Sequence, residues 1–277
     1  MKTYNYVQAP LPFQGQKRRF LNPFKEALNS FSSTATYVDL FGGSGLLSHT
    51  VKNYYPNAKV LYNDFDNYSE RLDNIESTNA LLADIREITA TNNERKTSLE
   101  KETKNKIIAR IERETGYIDY ITLSSSLLFS MNYVVNLDQL KKENFYNKVR
   151  LTPYTTNGYL NGVERVNMDY RDLFARYQYT ENVVFLVDPP YLSTDTTTYS
   201  KKDYWRLKDY LNVLKVIQHS SYFYFTSNKS QIIELCNWME ENGYCRNPFA
   251  DSTTVSISTN VTHTAKYEDI MIYRNNI

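Results

Sequence analysis

Five apolar residues, Val183 to Val187, run straight into Asp188-Pro189-Pro190-Tyr191. A carboxylate at Asp188 and the carbonyl of Pro189 could accept the two hydrogens of an exocyclic amino group. That would localise a lone pair otherwise delocalised into a ring and aim it at an electrophile. Both prolines restrict φ and hold the acceptors still, and Tyr191 could stack on a planar base. The alternative is a plain strand followed by a turn. A second cluster, Gly42-Gly43-Ser44-Gly45, sits between an expected short buried strand, Tyr37 to Phe41, and a helical rhythm from Leu46 to Tyr55. Glycines there let the backbone approach a ligand closely, and a helix N-terminus favours a negative group. No Gly-Lys-Ser/Thr ending follows, which argues against a nucleotide P-loop. A third cluster, "YNDFD", ends the next apolar run with Asp64 and Asp66. An acid about 20 residues beyond a glycine turn is where nucleotide-binding α/β units bond a ribose. Capping of the following helix is the alternative for either residue.

The elements that must position these groups alternate strand and helix. "ATYVDLF", "AKVLYND", "NVVFLV" and "SYFYFTSN" read as strands with helical segments after them, and "RVNMDYRDLF" as a strand and turn. That rhythm predicts a parallel sheet with helices on its faces. "DSTTVSIS" and "EDIMIYR" suggest a closing antiparallel hairpin. The rhythm breaks between about residues 90 and 160. "TNNERKTSLEKETKNKIIARIER" reads as a solvated, charge-laced helix, "YITLSSSLLFSMNYVV" as an apolar helix, and a turn-rich stretch follows. The expected organisation is a catalytic domain of residues 1–90 and 161–277 interrupted by a small, mainly helical insert of residues 91–160.

The 277-residue chain has 41% hydrophobic and 23% charged residues, as in ordinary globular proteins. No run approaches the ~18 apolar residues of a membrane span, and the N-terminus lacks a signal-peptide core. Cys236 and Cys245 form no metal-ligand spacing, so a cytoplasmic protein without metal is expected. A net charge of +1 advertises no global affinity for nucleic acid, although a local basic stripe would suffice.

"VDLFGGSG", "NDFD" and "DPPY", in that order, resemble the motifs of Dam-like (D12 class) DNA adenine-N6 methyltransferases. "LPFQGQKRRFL", "VNMDYRD" and "YFYFTSN" resemble the same class's opening element, the acidic-aromatic step before the catalytic strand, and the strand after it. The resemblance spans nearly the whole chain outside the insert. It implies a Rossmann-like α/β fold, with a mostly parallel sheet, and S-adenosyl-L-methionine as methyl donor. Asp39, Phe41, Gly42, Gly43, Ser44 and Gly45 would then line the donor, with Gly43 and Gly45 near its methionine part. Asp64 would bond the ribose, and Asp169 the donor's adenine, with Tyr170 beside it. Phe13 and Lys17 would belong to the donor and target pockets. Asp188, Pro189, Pro190 and Tyr191, with Lys17, would act on the target amine, and Asp188 would also border the donor.

The implied partner is double-stranded DNA, whose target base must flip out to reach such a pocket. Lys141, Lys142, Lys148 and Arg150 could contact phosphates, and Tyr146, Tyr154 and Tyr159 could wedge or stack. A monomer of bacterial or phage origin is expected, with a restriction endonuclease as a conceivable companion. The insert does not reproduce the Asn-Gly-Leu and Arg pattern of GATC readers, and Gln16 stands where a second glycine is common. Methylation of RNA or of a protein amide, and a non-catalytic DNA-binding relative, are the competing readings.

Overall fold

Val183–Val187 is buried at every residue because it is a central strand of a parallel sheet, covered on both faces. The computed structural model describes residues 5–90, 95–129, 132–190, 205–260 and 266–276. They divide into two compact units: Met1–Gln8, Gly15–Asp66 and Gly158–Ile277 form the first, Ala9–Gln14 and Asn67–Asn157 the second. Residues 67–90 thus belong to the second unit.

The first unit carries a seven-stranded sheet in the order β3-β2-β1-β4-β5-β7-β6. The strands are β1 (Thr36–Asp39), β2 (Lys59–Asn63), β3 (Glu164–Val166), β4 (Val183–Val187), β5 (Ser221–Ser227), β6 (Thr253–Asn260) and β7 (Lys266–Arg274). The first five are parallel, and β7 runs antiparallel to both β5 and β6. This is the mixed α/β sheet with a closing antiparallel pair that the strand rhythm predicts.

Strand alternation sorts the core into two layers. Val184, Leu186, Tyr37 and Phe223 join a cluster with Phe24, Leu28, Leu47 and Val51 from α1 (Leu21–Leu28) and α2 (Leu46–Tyr54). Phe185, Val187, Val38 and Tyr222 face the other way. There they meet Leu173, Val213, Ile217 and Cys236, from helices Tyr170–Tyr177, Leu207–Gln218 and Ile232–Glu241. The "RDLF" stretch, expected as a turn, lies within the first of these helices because the Asp169 side chain caps its N-terminus.

The second unit holds α3 (Tyr68–Asp73), α4 (Ile75–Thr89), α5 (Lys101–Glu112), α6 (Tyr120–Leu127) and α7 (Leu137–Lys142). Ile107 and Ile111 anchor the otherwise polar α5. The apolar helix stops at Leu127, earlier than its composition suggests. The Tyr146 amide takes the Leu127 carbonyl, and the Ser124 hydroxyl donates to Tyr120 while accepting from the Val134 amide.

A buried ion pair ties this unit together. Arg71 Nε lies 3.0 Å from Asp119 Oδ2, with the two side chains 5% and 1% exposed. Arg71 Nη2 also donates to the Pro12 carbonyl at 2.8 Å, while the Tyr68 hydroxyl bonds both the amide and the carbonyl of Leu11. Residues 9–14 are therefore docked by α3.

Candidate active site

The sheet's order reverses at β1, which lies between β2 and β4. Such a switch point opens a crevice beyond the carboxyl ends of the strands. In register, Asp39 of β1 faces Leu186 of β4, and the Leu40 amide donates to the Leu186 carbonyl at 3.0 Å. The turn after β1 and Asp188 after β4 therefore leave the sheet side by side.

The turn after β1 is shaped by its neighbours. A Cβ on Gly42 would lie 2.3 Å from the Tyr62 ring and 2.8 Å from the Asn63 carbonyl oxygen, so no larger residue fits. Gly45 sits at φ +73°, as the residue preceding α2. Its missing side chain makes room for Leu160, which a Cβ would meet at 2.9 Å. Two tyrosine hydroxyls hold the turn's carbonyls, Tyr62 to Gly43 at 2.7 Å and Tyr159 to Ser44 at 2.9 Å. At Gly42 and Gly45 the absence of a side chain thus serves packing within the protein.

Asp39 is buried at the root of this turn. Ser48 Oγ donates to its Oδ2 at 2.7 Å, while Oδ1 has no hydrogen-bond partner. Burial, reinforced by the nearby charge of Asp188, pushes the Asp39 carboxyl up to about 7. Between the ordinary value near 4 and about 7, the folded protein keeps a proton that the unfolded chain releases. The stability due to neutral Asp39 is complete at the acid end of that window and is lost as pH rises through about 7. Its size is on the order of 4 kcal/mol. Asp39→Asn should therefore flatten stability between pH 5 and 8, read from urea midpoints at both ends. Parallel profiles for the variant and the parent would refute this account.

Asp188 meets Lys17, whose Nζ lies 2.6 Å from its Oδ2, with the side chains 11% and 17% exposed for Lys17 and Asp188. The same ammonium donates to the Gly15 carbonyl at 2.8 Å. Burial raises the Asp188 carboxyl above the usual carboxylate range, Lys17 counteracts that rise, and Asp269 on β7 adds to it. Pro189 is buried and Pro190 half-buried. Tyr191 lies outside the described residues.

Asp64 follows β2 with a fully buried side chain. Its Oδ2 lies 3.0 Å from Arg165 Nε, and its Oδ1 lies 3.0 Å from the Tyr62 hydroxyl. Asp169 caps the helix after β3 and forms a two-pronged bond with the Arg171 guanidinium. Tyr170, next to it, stacks on Trp205 at 5.6 Å, and Phe41 packs on both rings. Phe13 belongs to the second unit, where its ring meets Tyr68 edge-on at 5.6 Å. The structure thus gathers Lys17, Asp39, Phe41, the glycine turn, Asp64, Tyr170 and Asp188 within the first unit.

A model of the D12 class N6 adenine-specific DNA methyltransferase family matches residues 13–256, a span that takes in all of these residues. The chain belongs to the D12 class. This D12-class chain is 38% identical over 275 residues to a Haemophilus influenzae protein named "Putative methyltransferase", across 97% of this chain and 93% of that one. The solved structure of a precorrin-6y C5,15-methyltransferase from Geobacter metallireducens aligns over 99% of this chain and all of that one. Its identity is 9% and its TM-score 0.36, too slight a likeness to bear on the site. The D12-class protein is therefore a methyltransferase.

Two residues packed beside these groups, Asn63 and Trp205, escape sequence reasoning. Asn63 donates to the Leu40 and Met168 carbonyls and accepts from the Met168 amide, stapling together the loops that leave β1 and β3. An asparagine closing an apolar strand just before Asp64 was the available signal. Trp205 carried none. Two expected DNA contacts are corrected: Tyr154 and Tyr159 are 7% and 2% exposed and cannot present a wedge, because each is packed into its own unit. Lys141 is engaged with Glu112 at 2.6 Å. Tyr146, Lys148 and Arg150 fall on the outward positions of a segment whose Phe145, Asn147 and Val149 are buried. Among the described residues no group of three or more His, Cys, Asp or Glu could hold a metal, and no helix is long and apolar enough to cross a membrane.

Proposed function

We propose that the protein transfers a methyl group from S-adenosyl-L-methionine to the N6 amino group of adenine in DNA. The observation that carries this reading is Asp188, a carboxylate at the switch point held by Lys17 and followed by two prolines, next to the glycine turn of β1. Asp188 and the Pro189 carbonyl accept the two amino hydrogens, which localises the lone pair for attack. Lys17 counteracts the burial that raises the Asp188 carboxyl and so favours its charged, accepting form. The donor supplies a methyl group bound to a sulfonium, so the transfer needs no covalent enzyme intermediate.

The residues beside β1 suit that donor. Asp39 offers a buried oxygen with no partner, and Phe41, Tyr170 and Trp205 offer aromatic faces for a purine. The carboxylates of Asp64 and Asp169 already have protein partners, so each would bond the donor only by sharing or exchanging them. The second unit, in this reading, reads and holds the duplex. Tyr146, Lys148 and Arg150 contact it along one edge while the target base is flipped out.

The test is to incubate the protein with tritiated donor and, separately, duplex DNA, RNA or protein. Label recovered as N6-methyladenine from DNA is the expected result. Label confined to RNA or protein would overturn the assignment.

A further inference from the structure

We propose that Tyr159, oriented by His49, is a positioning residue for the glycine turn and, through it, for the methyl donor; this rests on the reading of that turn as the donor site. The Tyr159 hydroxyl donates to the Ser44 carbonyl at 2.9 Å. That carbonyl lies between Gly43 at φ 49° and Gly45 at φ 73°, where the left-handed backbone takes it out of any helical hydrogen-bond ladder. Leu160, the next residue, fills the space that a side chain at Gly45 would need. The pair Tyr159-Leu160 therefore grips the turn by one bond and one close contact.

His49 holds Tyr159 in place. It stands on α2 one turn beyond Gly45, to whose carbonyl its amide donates at 2.8 Å. Its ring stacks on Tyr159 with centroids 4.7 Å apart and 26° between the planes. The Tyr6 amide, which can only donate, points at His49 Nε2 at 3.3 Å, and Asn53 Nδ2 reaches the same atom at 2.8 Å. Nε2 is therefore the acceptor, so the proton of the neutral ring sits on Nδ1. Nδ1–H then donates to the Tyr159 carbonyl. The circuit runs from the start of α2, through the His49 ring, to Tyr159 and back to Ser44. Both His49 and Tyr159 are nearly fully buried, at 3% and 2% exposure, which makes packing and hydrogen bonding their available roles. Tyr159 is also the second residue of the first unit after the chain returns from the second.

Tyr159→Phe tests this, because it keeps the ring and its packing and removes only the hydroxyl. Losing one hydrogen bond to the turn should raise the donor Kd of the full-length protein roughly 3- to 10-fold by calorimetry. The donor KM should follow, with kcat at saturating donor within about twofold of the parent. His49→Asn places an amide N–H where Nδ1–H stood and should bind donor almost as the parent does. His49→Gln places its amide at the Nε2 position and should bind as weakly as Tyr159→Phe. Urea midpoints establish that each variant is folded at the assay temperature. Unchanged donor affinity in Tyr159→Phe, or equal losses in the Asn and Gln variants, would overturn the positioning role alone. A parent protein that binds no donor would overturn the donor reading of the turn, and this proposal with it.

Discussion

Asp188→Asn is expected to lower the rate of methyl transfer to DNA by roughly 10³-fold, the scale on which loss of a preorganised group at the reacting centre is felt. The amide keeps one acceptor but turns N–H groups toward a substrate amine that itself needs to donate. It also removes the charge opposite Lys17, which sits 2.6 Å away. The measurement is the initial rate of tritium incorporation at saturating donor and DNA. A residual rate above about a tenth of the parent's would remove Asp188 from the mechanism.

The acid limb of the same reaction tests the pairing with Lys17. Burial raises the Asp188 carboxyl and Lys17 pulls it back. Protonation removes the acceptor, so the rate falls as pH falls through that raised value. Lys17→Met withdraws the lowering influence and should move the acid limb to higher pH, besides reducing the rate. A limb that stays in place would show that another group titrates there.

The largest effect on stability is expected from Arg71→Ala. It strands the Asp119 carboxylate, 1% exposed, without its 3.0 Å partner, and strips a donor from the Pro12 carbonyl. Breaking a buried pair from one side typically costs about 3–5 kcal/mol, because the remaining charge stays desolvated. Urea denaturation should show a correspondingly lower midpoint. Asp119→Ala should lose at least as much, since Asp119 also caps α6 by accepting from the Thr122 amide at 3.0 Å. The paired substitution Arg71→Met with Asp119→Leu leaves no stranded charge and should cost less than either single change. A paired variant worse than both would show that the network's value lies in its bonds to residues 9–14 and not in the burial of charge.

Much of this was written in local patterns. The unbroken apolar run of β4, the glycine turn after β1 and the acids closing β2 are near-neighbour properties, set by strand geometry and turn chemistry within about ten residues. Because a parallel sheet brings the carboxyl ends of its strands to one edge, knowing the strands was enough to expect the glycine turn, Asp64 and Asp188 at a common rim. The early stop of α6 was not legible, because the competitor for the Leu127 carbonyl is the distant amide of Tyr146. The role of Tyr159 was misread for the same reason: as an aromatic in a turn-rich stretch it resembles a surface wedge, and only its contacts with His49 and Ser44 bury it.

By itself, then, the sequence determined which strand ends bear carboxylates and glycines, and in what order, since those follow from short-range periodicity. Tertiary structure alone decided which charges meet: Lys17 with Asp188, Arg165 with Asp64, Arg71 with Asp119. It also decided that the glycines make room for Tyr62 and Leu160. The physical reason is the same in each case. Partners far apart in the chain are selected by burial and by the need to satisfy polar groups once water is gone, and neither requirement leaves a mark on the residues beside them.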